Sequence, residues 1–206
     1  MPQGHIIPSK GNYLALGRSL ALATLGYEMM DRKRQILIRE MMGLIGRAEE
    51  IQSSIDATFR TAYGALQAAN ITLGNCEGLA RSVPVDDSLM IRFRSVMGVE
   101  IPRVAMGDAP PAMLGFVFTN SMLDEAILHF HKVKILTREL AEVETAIYRL
   151  AYAVKKTQKR TNALENIIIP TYRKNLAFIS DALEERERED YVRLKHVKGK
   201  RHKVTA

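Results

Sequence analysis

The sequence predicts a mainly α fold: two very long antiparallel helices forming a left-handed coiled coil, with a small β-hairpin-containing head at the connecting end. Three observations carry this. Apolar residues recur at alternating steps of three and four from Leu16 to Ala69 and again from Leu136 to Leu183, the signature of a coiled-coil seam. Met counts 10, aromatics are only 6% and Trp is absent, a composition suited to long helices rather than a thick round core. Between the two stretches, 74–120 holds Pro84, Pro102, Pro110 and Pro111 out of 7 prolines in all, and the helical period stops there.

Residues 1–10 read as a short tail. Ser9 after Pro8 is the predicted N-cap of the first helix. Its seam runs Leu16, Leu20, Ala23, Tyr27, Met30, Arg34, Leu37, Met41, Leu44, Ala48, Ile51, Ile55, Thr58, and ends in Ala62, Ala65 and Ala69. Only Arg34 and Thr58 are polar. No proline interrupts it, so a single helix over 11–73 is predicted, roughly 90 Å long at 1.5 Å per residue. Small residues at its far end bury little area, so that end needs support beyond the seam.

In the head, Leu89 to Val96, Val99 to Met106 and Leu114 to Thr119 look strand-like, and Pro102 marks an edge strand. Ser121 with Asp124 has capping-box spacing and opens the second helix, 121–197. Its seam is Leu136, Leu140, Val143, Ile147, Leu150, Val154, Thr157, Thr161, Leu164, Ile168, then Tyr172, Leu176, Ile179 and Leu183. Two successive steps of four around Ile168 form a stutter, which locally unwinds a supercoil. A basic tail, 198–206, follows.

Antiparallel helices joined by a head place positions together whose numbers add to roughly 195, at equal rise per residue. Arg34 then meets a polar layer of Thr157 and Thr161, with Glu165 one turn away to answer its charge. Such layers fix register at a cost in stability. Gly26 and Pro170 share a height, which predicts a bend. The first helix runs out near Glu184, leaving an overhang with Glu184–Arg188 and Glu189–Arg193 spaced as i, i+4 ion pairs.

Net charge is +7, which permits acidic partners, nucleic acid or anionic lipid. One cysteine, Cys76, excludes an internal disulfide and fits a reducing compartment. No apolar run reaches the length of a membrane span. Phosphate loops and dinucleotide fingerprints are absent. His129 and His131 stand two apart on a helix, so they cannot chelate together. Cys76 reads as an unremarkable loop residue, and Asp86-Asp87 is a weak metal candidate. The Lys155, Lys156, Lys159, Arg160 cluster has no interleaved aromatics, unlike a nucleic-acid surface. The residues predict no catalysis, no cofactor and no metal.

Two stretches carry a resemblance. Lys155 to Pro170 (KKTQKRTNALENIIIP), followed by LEERERED and RLKHVK, and the early run PSKGNYLALGRSLALATLGYEMMDRKRQIL are similar to the signatures of the D-subunit family of V-type and archaeal A-type ATPases. Ser9 stands where Thr is common and Gln35 where Asp is common, and 74–120 matches only in general character. The resemblance implies a non-catalytic central rotor shaft, carrying torque between ATP chemistry at a ring of A and B subunits and ion flow in the membrane. It implies three neighbours: a small F subunit, the A/B ring, and a funnel-shaped C (or d) subunit. It implies a cytoplasmic, peripheral position, no membrane insertion, no nucleic acid, and a prokaryotic source. On this reading the overhang, Glu184, Glu185, Arg186, Glu187, Arg188, Glu189, Arg193 and Lys195, faces the ring. The seam and length alone also fit a non-rotary scaffold hairpin or, less well, a basic nucleic-acid-binding coil.

Overall fold

The structure, a computed structural model, describes residues 7–81, 83, 88–106 and 119–204. In order these form α1 (Lys10–Leu73), α2 (Glu77–Arg81), β1 (Leu89–Val96), β2 (Val99–Met106), α3 (Ser121–Ala163), a π-helical turn (Leu164–Ile168) and α4 (Ile169–Val204). The mainly α architecture with a hairpin between two long helical stretches is present. The strand-like run at 114–118 and the Asp86-Asp87 pair lie outside the described residues. By contacts the chain divides into two compact units, residues 1–34 with 156–206, and residues 35–155.

In the second unit, α1 and α3 pack along the predicted seam. Ile51, Ile55 and Val143 are buried together, with Leu44, Ala48, Phe59, Leu136, Leu140 and Ile147 against them. Leu37 and Leu150 lose all their exposure, worth about 1.5–3 kcal/mol for each such side chain. At the Ala-rich end, Ala62 and Ala69 are fully buried, and support comes from three sources outside the seam. Tyr63 stacks on Phe59 at 5.8 Å and meets the edge of Phe130 at 5.6 Å. The Asn120 amide donates to the Thr72 hydroxyl at 3.3 Å. Cys76 joins Ala69 and Leu123 in a buried cluster; it is a core residue, not the unremarkable loop residue its sequence neighbours suggest.

Gly74 ends α1 with φ 76, a left-handed conformation that glycine adopts without a Cβ penalty. The short α2 has no counterpart in the sequence expectation. Asn75 Oδ1 accepts the Glu77 N–H at 3.0 Å, a side-chain cap that starts a helix too brief to show a period. The cap of α3 is Asn120 and not Ser121: the Leu123 and Asp124 N–H groups both donate to the Asn120 carbonyl.

β1 and β2 pair antiparallel in one two-stranded sheet, with Val96 opposite Val99 across a tight turn. Met97 (φ 50) and Gly98 (φ 77) are both left-handed, the geometry of a type I′ turn. β2 faces α3 along its outer edge. The Val104 N–H donates to Glu142 Oε2 at 2.8 Å, and Arg149 donates to the Glu100 carbonyl at 3.0 Å. Backbone direction alternates every residue, so Pro102 also turns its donor-less nitrogen outward and costs no ladder bond. This is the edge position its sequence context predicts.

In the first unit, Ser9 Oγ accepts the Asn12 N–H at 3.2 Å, so Ser9 caps α1 and the helix starts at Lys10. The second stretch does not stay α-helical to its end. Ile169 N–H donates to the Leu164 carbonyl, five residues back. The widened turn puts Ile169 in the seam at 8% exposure, where the regular period would put Ile168. Proline accounts for the position: Pro170 cannot donate, and its ring crowds the carbonyl four residues back. The stutter read from spacing is this π turn. α4 then continues to Val204, past position 197 where its charge run suggests a frayed tail. Lys, Arg and His are favoured near a helix C-terminus.

A non-glycine residue in left-handed conformation costs about 1–2 kcal/mol. Met97→Asn should therefore slow amide exchange in β1 and β2 about two- to fivefold, on the order of 0.5–1 kcal/mol. Unchanged exchange would contradict the turn assignment.

Candidate functional site

The polar layer forms within the first unit, with a membership different from that expected. Arg34 Nη1 donates to Gln158 Oε1 at 2.6 Å, and Nη2 to Asp31 Oδ1 at 2.5 Å. Gln158 passes the chain on, donating from Nε2 to Asn162 Oδ1 at 2.9 Å. Thr157 and Thr161 are buried, at 6% and 2% exposure, and the Thr161 hydroxyl donates to the Thr157 carbonyl at 3.1 Å. That bond stays within one helix, and Gln158 provides the link between helices. Arg34 Nε is buried with no hydrogen-bond partner. Arg34 and Asp31 keep 29% and 23% side-chain exposure, so their attraction is partly screened and worth about 1 kcal/mol at most.

Glu165 does not answer Arg34. It faces Tyr27: the Tyr27 phenol is raised above its ordinary 10.0, first by the charge of Glu165, then by burial and by Asp31, with a hydrogen bond to Glu165 adding to the effect. Arg34 pulls the same phenol the other way. Tyr27 precedes Arg34 by the same seven residues that separate Glu165 from Gln158, so both pairs keep one register, about one turn away from the expected one. Gly26 sits one residue before Tyr27 in unbroken α1, with open space where a Cβ would stand. Pro170 is half-buried as the second residue of α4, two residues after the π turn.

The far part of α4 carries the other candidates. Arg186 donates to the Pro8 carbonyl at 3.2 Å and Glu187 meets Lys10 at 3.3 Å, so α1 begins beside 186–187. Glu184–Arg188 at 3.6 Å and Glu189–Arg193 at 3.4 Å both form, with Glu185 and Asp190 as second partners. Lys195 is exposed. Charge is only half of this surface: Tyr191, Val192, Leu194 and Val197 are exposed by 62–70%. A second apolar stripe, Leu22, Leu25 and Met29, stands exposed on α1. Neither stripe figures among the sequence-predicted sites. Their signal is a second three-and-four spacing beside the seam.

Among the described residues no three His, Cys, Asp or Glu side chains gather as a metal site. None of the described helices is long and apolar enough to cross a membrane.

A long helical hairpin with a polar layer and exposed apolar stripes defines a helical subunit built to contact other chains. Comparison with known proteins makes the class specific. Residues 12–199 match the family of ATP synthase D subunits. The chain is 42% identical over 198 residues to the V-type ATP synthase D subunit of Thermotoga neapolitana, covering 95% of this chain and 98% of that one. It is 34% identical over 196 residues to the A-type ATP synthase D subunit of Methanopyrus kandleri, covering 93% and 84%. The Thermus thermophilus V-type ATP synthase D subunit is 34% identical over 197 residues, covering 95% and 88%. This chain belongs to the D-subunit family of V-type and A-type ATP synthases.

A raised phenol pKa means that folding favours the protonated tyrosine. That contribution is whole below pH 10.0 and is lost as pH rises through the folded-state value. In an absorbance titration, Tyr27 should ionise later than an ordinary tyrosine, isolated as the difference from Tyr27→Phe. Glu165→Gln should bring it back toward the ordinary value. An unmoved titration in Glu165→Gln would show that Glu165 is not the cause.

Proposed function

We propose that this subunit is the central rotor shaft of a rotary V/A-type ATPase, carrying torque between ATP hydrolysis or synthesis at the A/B ring and ion translocation in the membrane. It is non-catalytic and works on the cytoplasmic face. Its partners are a small F subunit of the rotor, the A and B subunits, and the funnel-shaped C/d subunit above the membrane ring. Membership of the ATP synthase D-subunit family over nearly the whole chain carries the reading. The α4 end supports it: the charges there are solvated and satisfied locally, while the apolar side chains between them are left for other surfaces. Weak, exchangeable contacts suit a shaft that must meet each ring position in turn. An exposed ion pair contributes about 0.2–1 kcal/mol, small enough to be exchanged at each step.

The polar layer serves register in this proposal. A half-buried arginine held across two helices by Gln158 contributes little net stability, but an apolar replacement tolerates sliding. In Arg34→Leu, stability should stay equal or rise while register loosens. Crosslinking reads this, with Met30→Cys and Glu165→Cys placed in a Cys76→Ser background. Equally efficient crosslinking in a single register, with and without Arg34→Leu, would remove the register role.

The shaft role has a direct test. A reversible disulfide between Lys195→Cys and an A/B ring subunit should stop ATP hydrolysis in the assembled complex, and reductant should restore it. Hydrolysis continuing through the lock would rule out rotation of this subunit. Replacing Glu184, Glu185, Glu187 and Glu189 with Ala should weaken ring contacts by about 1–2 kcal/mol in total and lower the coupled rate. Unchanged assembly and an unchanged rate would sink the ring-contact role of this surface.

A further inference from the structure

The hairpin carries a feature that neither the coil nor the shaft reading uses. In the observed register Arg92 stands directly opposite Arg103, and Arg94 is the next residue on the same face of β1. All three are exposed. Directly opposed residues of a strand pair have Cβ atoms about 4.5–5.5 Å apart, and like charges there are destabilising. No carboxylate among the described residues answers them; Glu100 pairs with Ser95 on the opposite face. The other face is turned toward α3, where Arg149 lies over the Phe93 ring at 5.4 Å. Side-chain alternation therefore directs Arg92, Arg94 and Arg103 away from Arg149.

Edge protection explains only part of this. Among the described residues nothing pairs with the outer edge of β1, and charge on an unpaired edge discourages aggregation. Arg103 is on β2, however, whose outer edge is already engaged by Glu142 and Arg149. A charge repulsion placed on the protected strand has no such use. Arginine's planar fork is matched to carboxylate pairs. Exposed Met90 shares the face at 63% exposure, and Met97 stands at the turn at 47%. Exposed Arg and Met together make up the composition of a protein-binding surface.

We infer that the Arg92, Arg94, Arg103 face of the hairpin docks on an acidic surface of a neighbouring protein subunit, whose Asp and Glu carboxylates relieve the repulsion. The inference rests on membership of a multisubunit synthase and not on rotation, so it stands or falls apart from the shaft reading.

The test uses the assembled complex. Arg92→Lys and Arg103→Lys, made singly, keep the charge and introduce an amine that carbodiimide couples only to a touching carboxylate. Mass spectrometry should find new crosslinks from position 92 or 103 to Asp or Glu of another subunit. Lys10 with Glu187, 3.3 Å apart, reports within the same sample that the reagent has worked. In parallel, the Arg92→Glu, Arg103→Glu double variant should weaken retention of the crosslinked subunit about tenfold at low salt, with the difference from the unmodified chain shrinking as salt rises. Coupling confined to carboxylates of this chain, or no coupling while Lys10 couples, would overturn the inference. So would loss of binding to phosphatidylglycerol vesicles in the double variant without any crosslink between subunits, which would make the face a lipid contact.

Discussion

Among the described residues, Leu37, Leu150 and Ile179 are the largest side chains that lose all their solvent exposure, few for a chain of 206 residues. Two paired helices can bury only a narrow stripe of each, and the seam here is filled near that limit. Most of the apolar surface therefore stays outside, as Tyr148, Tyr152, Phe178 and Ile71 do at 58–79% exposure. In a lone globular domain such exposure would be a liability. In a subunit of a larger machine it is where other chains attach. The same limit explains why small polar contacts matter. Gln158 against Arg34 and Asn120 against Thr72 add hydrogen bonds between elements that the apolar seam alone does not supply.

The π turn shows how one backbone constraint spreads. Pro170 removes a donor, the turn before it widens, and Ile169 takes the seam position. Up to that turn the pairing follows a single register: Arg34 meets Asp31 and Gln158, and Tyr27, two helical turns earlier, meets Glu165, two turns after Gln158.

How much of this is legible in the sequence depends on whether a repeat is available. The paired helices, their seam from Leu44 to Ile55 and the two strands follow from periods that persist over many residues. The Ser9 cap and the edge position of Pro102 follow from single-residue chemistry. The aim of individual side chains does not follow. Counting from the head assigns Thr161 and Glu165 to Arg34, but the helices pair about one turn out of that register, with Gln158 against Arg34. The spacing to Asp124 favours Ser121 as the cap, although Asn120 lies one residue closer to the break. The five-residue α2 and the burial of Cys76 have no repeat to reveal them. The exposed stripe at Tyr191 and Leu194 is hidden by the charges around it.

The hairpin and the coil solve opposite problems. Along α4 the charges are satisfied locally, while apolar side chains such as Tyr191 and Leu194 stay exposed. The hairpin is anchored by Glu142 and Arg149 at one edge, yet it carries opposed arginines and a strained, exposed Met97. Each of these costs free energy in the isolated chain, and a sequence keeps such costs where a partner offsets them. On the readings proposed above, lasting attachment is assigned to the hairpin and exchangeable contact to the far end of α4.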